Sequence, residues 1–237
     1  MSKSSVVTVG GRECSVCPGS GPVMLVGDSH ERPGYCEAIA SECEALGRPD
    51  MTVMVFETED WDRDFSPWNA RGMDDEHPLG DGGPDTLNWI REHGLPYINE
   101  RFPGQPVIIC GYSLAGLFAL WGFLSSDLFD GAVCCSGSLW MDGWIPFMEE
   151  HPAAREGAVY LSLGGKEEKT SHPLVSRIGD CTRRADVLLE KDPSVYSHKL
   201  EMNKGGHFAD SAKRLAKGMV WADVAVNKHC DGTRRSE

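Results

Sequence analysis

Gly111-Tyr-Ser113-Leu-Ala115-Gly116 is the segment of this chain best suited to nucleophilic chemistry. A G-x-S-x-G-type turn between a strand and a helix holds a serine in a sharp elbow, with its hydroxyl projecting and small residues two positions to either side. Gly111 and Ala115 meet that steric demand, alanine standing where glycine is commoner. The Leu114 backbone N–H would then open a helix and face a developing oxyanion. A bland alternative is that Ser113 merely caps that helix. A serine hydroxyl is a weak nucleophile without a base. Of the eight histidines, His207 has the best address, in Asn203-Lys-Gly-Gly-His207-Phe208, where two glycines let a loop bring its ring toward the elbow. His30 and His77 sit in loops that could line a cleft, and the other five read as surface residues.

These groups need a scaffold, and the hydropathy pattern supplies one. Val23–Val26, Met51–Phe56, Val107–Cys110, Gly131–Cys135, Ala158–Leu163 and Ser194–Met202 read as strands, the central ones as continuous apolar runs. Helical spacing occurs over Tyr35–Leu46, Leu114–Leu124, Trp144–Glu150, Leu174–Leu189 and Ala209–Trp221, and over Asp85–Arg101 with a break at Gly94 and Pro96. Alternating strands and helices imply a mostly parallel central sheet with helices on both faces, and 237 residues suit one domain over 1–237. The elbow then lies at the carboxyl edge of a central strand, and His207 follows the last strand. In the chain order serine, acid, histidine, the acid belongs after Ala158–Leu163. Glu167, three residues beyond Gly164, is the first choice and Glu168 the second, with a Ser113–His207 dyad as the remaining option. A second oxyanion N–H should come from the loop after Val23–Val26, at Asp28 or, next, Ser29. The stretch Glu57–Pro84 is long for a connection and rich in Asp, Gly, Pro and Trp, as a cleft loop or lid would be. Residues 227–237 read as a frayed tail.

Composition narrows the function classes. A net charge of −13 opposes a nucleic-acid surface, and no apolar run reaches the ~20 residues of a membrane span. The first ten residues lack the apolar core of a signal peptide. Nine cysteines, several inside apolar runs, fit reduced thiols in a cytoplasmic protein. Cys14 and Cys17 form a lone C-x-x-C with no second pair to complete a zinc site, so no metal is expected.

Gly111–Leu120, Ser136-Gly-Ser-Leu-Trp140, Leu161–Thr170 and Gly206-His-Phe208 together resemble the esterase family of α/β-hydrolases that includes the siderophore (enterobactin-type) esterases, esterase D and some feruloyl esterases. The likeness runs from about Val23 to Trp221, and Ser-Gly-Ser-Leu-Trp points toward the siderophore-esterase branch. It implies an α/β-hydrolase fold and hydrolysis of a small-molecule ester through an acyl-enzyme. It also implies no metal or organic cofactor, with Ser113 and His207 as nucleophile and base. Trp61, Arg63, Trp68 and Trp140 are candidates for the substrate cleft, aromatic surface suiting an aryl or bulky acyl group, although core packing would use the rings as well. The loop's excess of Asp and Glu would repel a highly anionic iron chelate unless Arg63 and Arg71 face inward. Acyl transfer from the same intermediate, a non-catalytic binding protein on this fold, and a zinc or redox protein built on Cys14 and Cys17 are the competing readings.

Overall fold

The structure, a computed structural model, describes residues 4–29, 32–74 and 76–234, the last four by backbone alone. Its strands are β1 (Ser5–Val9), β2 (Arg12–Cys17), β3 (Val23–Ser29), β4 (Thr52–Thr58), β5 (Val107–Tyr112), β6 (Gly131–Cys135), β7 (Gly157–Gly164) and β8 (Val195–Asn203). Among the described residues they form one sheet in the order β1-β2-β4-β3-β5-β6-β7-β8. All neighbours from β4 through β3 to β8 are parallel, while β1 and β2 are antiparallel additions at one edge. β5, β6 and β7 are buried along their whole length, because helices cover both faces and no side of the strand meets water.

One face is covered by α1 (Tyr35–Ala45) and α8 (Ser211–Arg234), which bury Ile39, Leu215 and Met219 against Val26, Ile108 and Val133. The other carries α5 (Leu114–Ser125), α6 (Trp144–Glu150) and α7 (Ile178–Lys191). Between β4 and β5 run α2 (Trp61–Asp64) and then α3 (Gly83–Trp89) and α4 (Leu95–Arg101), joined by a π-helical turn at Ile90–Gly94. The helix expected to break at Gly94 and Pro96 therefore continues. A wide turn ahead of Pro96 accommodates a residue that lacks an N–H and crowds the carbonyl four positions back.

Three other expectations change. The 57–84 stretch folds into a layer over α5: Phe65 is fully buried between Phe56 and Phe118, with ring centroids 6.0 and 5.4 Å away, and Ala70 pairs with Leu79. Eleven of the twelve α5 residues are consequently buried, so this helix is apolar all round instead of striped. Finally, α8 runs to Arg234 where a frayed tail was expected. Its packing against the sheet continues to Ala222 and Val226, which supports the turns that follow.

The chain order reverses between β3 and β5. β3 pairs with β5 only as far as Val26 opposite Cys110, and then follows β4 to Ser29, while β5 continues beside β6 to Tyr112. The two strands part at their carboxyl ends, which is where open α/β sheets place their ligand crevice.

Candidate active site

Ser113 stands at that parting, directly after β5, with φ 59° and ψ −125°. Positive φ is costly for a residue with a side chain and persists only where the surroundings impose it. Here the Ser113 N–H donates to Cys135 O at 3.0 Å, and its carbonyl accepts from Ser138 N at 3.1 Å and from Gly116 and Leu117 in the first turn of α5. The turn is so tight that a Cβ at Gly111 would overlap the Ala115 carbonyl. Gly111→Ala should therefore destabilise the fold by at least ~2 kcal/mol, a loss that denaturant melts of the variant would measure. Ser113 makes no side-chain cap to α5, although it occupies the cap position. Its hydroxyl instead lies 3.1 Å from His207 Nε2, the geometry of an O–H donating to the ring nitrogen.

His207 sits in the loop between β8 and α8, and its Nδ1–H faces Glu167 Oε2 at 2.8 Å. Glu167 follows β7 in a single 3₁₀ turn, Glu167–Lys169, and is only 8 % exposed. Its other oxygen, Oε1, accepts from Ser136 Oγ at 2.6 Å and from the Gly164 N–H at 2.7 Å. Burial alone would raise the carboxyl pKa, but the hydrogen bonds from His207, Ser136 and Gly164 outweigh it and hold Glu167 at about 2. The loops carrying acid and histidine are stitched together by Gly165 N–H to Asn203 O at 2.8 Å and Lys166 N–H to Gly205 O at 3.1 Å. They cross over Gly164, where a Cβ would stand 2.7 Å from Glu167 Oε1 and 2.8 Å from the Gly205 carbonyl. Glu168 turns away and pairs with Arg183 at 2.8 Å.

The arrangement is a continuous relay from hydroxyl to imidazole to carboxylate, able to remove the serine proton as the hydroxyl attacks an electrophilic carbon. Leu114 opens α5, where N–H groups lack intrahelical acceptors. Asp28 lies near the end of β3, past the point where β3 leaves β5. Its buried carboxylate is bonded to Arg32, so its side chain braces the loop and only its main chain could serve an oxyanion.

The four proposed cleft residues divide. Trp140 follows Ser138, the residue bonded to the Ser113 carbonyl, but is itself largely buried. Trp68 is half-buried, donates Nε1–H to the Asp142 carbonyl at 2.9 Å and stacks on Trp144. Arg63 pairs with Asp64 and Asp85, bracing α2 against α3, and Trp61 packs edge-on to Phe65. Core and scaffold roles thus account for the observed contacts of Trp61 and Arg63. His77 pairs with Asp74 in an exposed turn, and His30 lies outside the described residues.

Arg71, named with Arg63 as a possible inward-facing arginine, and residues that the sequence did not single out complete the surroundings. Arg71 and Arg177 both bind Asp142, and Arg177 also donates to the Trp140 carbonyl at 2.7 Å. Beside them lies a cavity of about 620 Å³ lined by Arg71, Met73, Leu79, His172 and Leu174. Tyr112 and Arg214 lie beneath the histidine loop, Arg214 nearly fully buried within α8. No sequence signal sets Arg214 apart: it stands in Ala212-Lys213-Arg214-Leu215-Ala216-Lys217, with two other basic residues at the start of the closing helix. Cys14 and Cys17 belong to opposite faces of the sheet, since residues three apart in a strand diverge, so one metal could not take both thiols.

The family model described as "Putative esterase" matches residues 34–207, nearly three quarters of the chain. No curated protein sequence matches significantly. Among solved structures, the chain is similar to the siderophore hydrolase EstA from Aspergillus nidulans, with a TM-score of 0.75, 15% identity and 94% of each chain covered. An IroE-like serine hydrolase from Shewanella oneidensis superposes with a TM-score of 0.77 at 14% identity, over 92% of this chain and 79% of that one. The siderophore hydrolase EstB from Aspergillus nidulans gives 0.66 at 16% identity, over 91% and 93%. At these identities the likenesses establish a shared α/β-hydrolase fold, and the family match adds the chemistry: the chain belongs to the esterase family, the carboxylic ester hydrolases of α/β-hydrolase type.

Proposed function

We propose that the protein hydrolyses an aryl or siderophore-type carboxylic ester through an acyl-enzyme on Ser113. The observation that carries this reading is the unbroken Ser113–His207–Glu167 relay at the parting of β3 and β5. His207 takes the Ser113 proton as Oγ attacks the ester carbonyl, and Glu167 steadies the imidazolium that forms. The Leu114 N–H, with a second from Asp28, stabilises the tetrahedral oxyanion. As the intermediate collapses, His207 returns the proton to the leaving alcohol. It then activates the water that releases the acid and regenerates the serine. The half-buried Trp68 offers aromatic surface for a bulky acyl group. Similarity to two siderophore hydrolases favours a ligand of that size. Arg71 and Arg177 are already paired with Asp142, so an anionic chelate would have to displace that carboxylate to reach them.

Every role in this scheme belongs to a side chain or a main-chain N–H, so neither a metal nor an organic cofactor enters it. EDTA and 1,10-phenanthroline should leave kcat/KM for an aryl ester within about twofold of the untreated protein, and a loss reversed by added zinc would overturn this. Product analysis with and without an added alcohol separates hydrolysis from acyl transfer, with free acid expected as the main product in both. The nine free thiols fit a cytoplasmic setting, and among the described residues no helix is long and apolar enough to cross a membrane.

A further inference from the structure

Arg214 is only 2 % exposed, in the first turns of α8. Its Nη1 donates to Tyr112 Oη at 2.6 Å and to the Gly206 carbonyl at 3.4 Å. Its Nη2 donates to Ser136 Oγ and, at 3.2 Å, to Glu167 Oε1. Tyr112 Oη in turn donates to the His207 carbonyl at 2.6 Å. One guanidinium thus touches the residue before the nucleophile and the second oxygen of the acid. It also holds the main chain on both sides of the base, directly at Gly206 and through Tyr112 at His207. A rigid five-donor fork can make all of these bonds at once, whereas an ammonium cannot reproduce their geometry.

We propose that Arg214 is a positioning residue for catalysis: it fixes Glu167 and the His207 loop in register. The proposal rests on Ser113, His207 and Glu167 being the catalytic set. The guanidinium holds one oxygen of the carboxylate whose other oxygen holds His207. The titratable groups around the guanidinium are Glu167, Tyr112, Cys135 on β6 and Tyr160 on β7. Burial pushes the Tyr112 and Tyr160 hydroxyls and the Cys135 thiol up, so these three stay neutral in the working range. Glu201 lies farther along β8 and is held by Lys199 and Lys217. Among the described residues, Glu167 is therefore the ionised partner that Arg214 faces directly. Burying a cation is costly unless it is paired and hydrogen-bonded; here Nη1 and Nη2 are bonded while Nε is buried without a partner. That cost is met here at the one place where the three catalytic segments meet.

The test is the rate at which a fluorophosphonate labels Ser113 as a function of probe concentration, in the wild type, Arg214→Met, Arg214→Lys and Tyr112→Phe, with circular dichroism to verify folding. Arg214→Met should label on the order of 10- to 100-fold more slowly at neutral pH, as misplacing a catalytic group does. The loss should fall on the maximal labelling rate, with the half-saturating probe concentration within about twofold of wild type, because the displaced groups serve proton transfer and not probe binding. Arg214→Lys, which keeps the charge but not the fork, should remain slow, and so should Tyr112→Phe. A folded Arg214→Met with a wild-type maximal rate, or with its loss in the half-saturating concentration alone, overturns the proposal. If that variant fails to fold, a wild-type labelling rate in either Arg214→Lys or Tyr112→Phe overturns it instead. Failure of the wild type to label at Ser113 would sink the underlying assignment of the nucleophile, a separate outcome.

Discussion

Ser113→Ala should lose at least about ten-thousandfold in kcat on an aryl ester, leaving only the contribution of binding and the oxyanion donors. The size of the effect follows from the elbow. Ser113 is held at positive φ by main-chain bonds on both sides, and its hydroxyl is already within 3.1 Å of the base. The neighbouring Ser136 hydroxyl is engaged elsewhere, donating to the acid. Alanine can take up the same backbone path, since the bonds that impose it are main-chain ones, so the variant should fold. The measurement is steady-state hydrolysis paired with intact-mass analysis after fluorophosphonate treatment. One adduct mapping to Ser113 in the wild type and none in Ser113→Ala is the expected result. Retention of wild-type turnover by Ser113→Ala would show that the chemistry lies elsewhere.

The second large effect separates two adjacent carboxylates. Glu167→Gln should lower kcat by roughly a thousandfold to ten-thousandfold, by analogy with the loss of a triad carboxylate, because an amide cannot set the histidine tautomer or balance an imidazolium. Glu168→Gln should stay within about twofold, since that residue makes a partly exposed ion pair with Arg183, a type worth about 0–1 kcal/mol. The same substitution should alter acid stability. The Glu167 carboxyl is lowered from 4.5 to about 2, so its ionisation supports the fold fully above pH 4.5, and that support is lost as pH falls through about 2. At ~1.4 kcal/mol per pH unit this amounts to about 3 kcal/mol. The acid unfolding of Glu167→Gln should therefore be shallower over that interval than that of the wild type. Near-wild-type turnover in Glu167→Gln would reduce the machinery to a Ser113–His207 dyad.

Much of this arrangement is legible in the sequence, for physical reasons. Buried parallel strands read as unbroken apolar runs, so β3 to β7 could be located from hydropathy. A nucleophile elbow needs small residues at fixed offsets, so Gly111 and Ala115 marked Ser113. Glu167 was preferred on its offset from Gly164, and the structure places that glycine's N–H on the Glu167 carboxylate. The β1–β2 hairpin has a weaker signal in the sequence, the Gly10-Gly11 turn after the β-branched run Val6–Val9, and both glycines take positive φ. The cleft remained obscure because an aromatic in a loop looks the same whether it faces a ligand or fills the core, and Phe65 and Trp140 fill the core. Arg214 stayed hidden for a related reason. Its contacts reach back to residues 112, 136 and 167, and no local period records such a convergence.

The crossing of two loops over Gly164 also bears on how this sequence can change. The acid and the histidine loop both pass within reach of any atom added there, so mutation at that position is closed to selection unless both loops move together. At the rim the constraint loosens: Phe208 is 95 % exposed, and its ring contact is an edge-on one with His207. Drift, or a laboratory search for new ester preferences, can therefore work freely at the rim while the crossing beneath it stays fixed, and substrate range and catalytic competence can evolve separately.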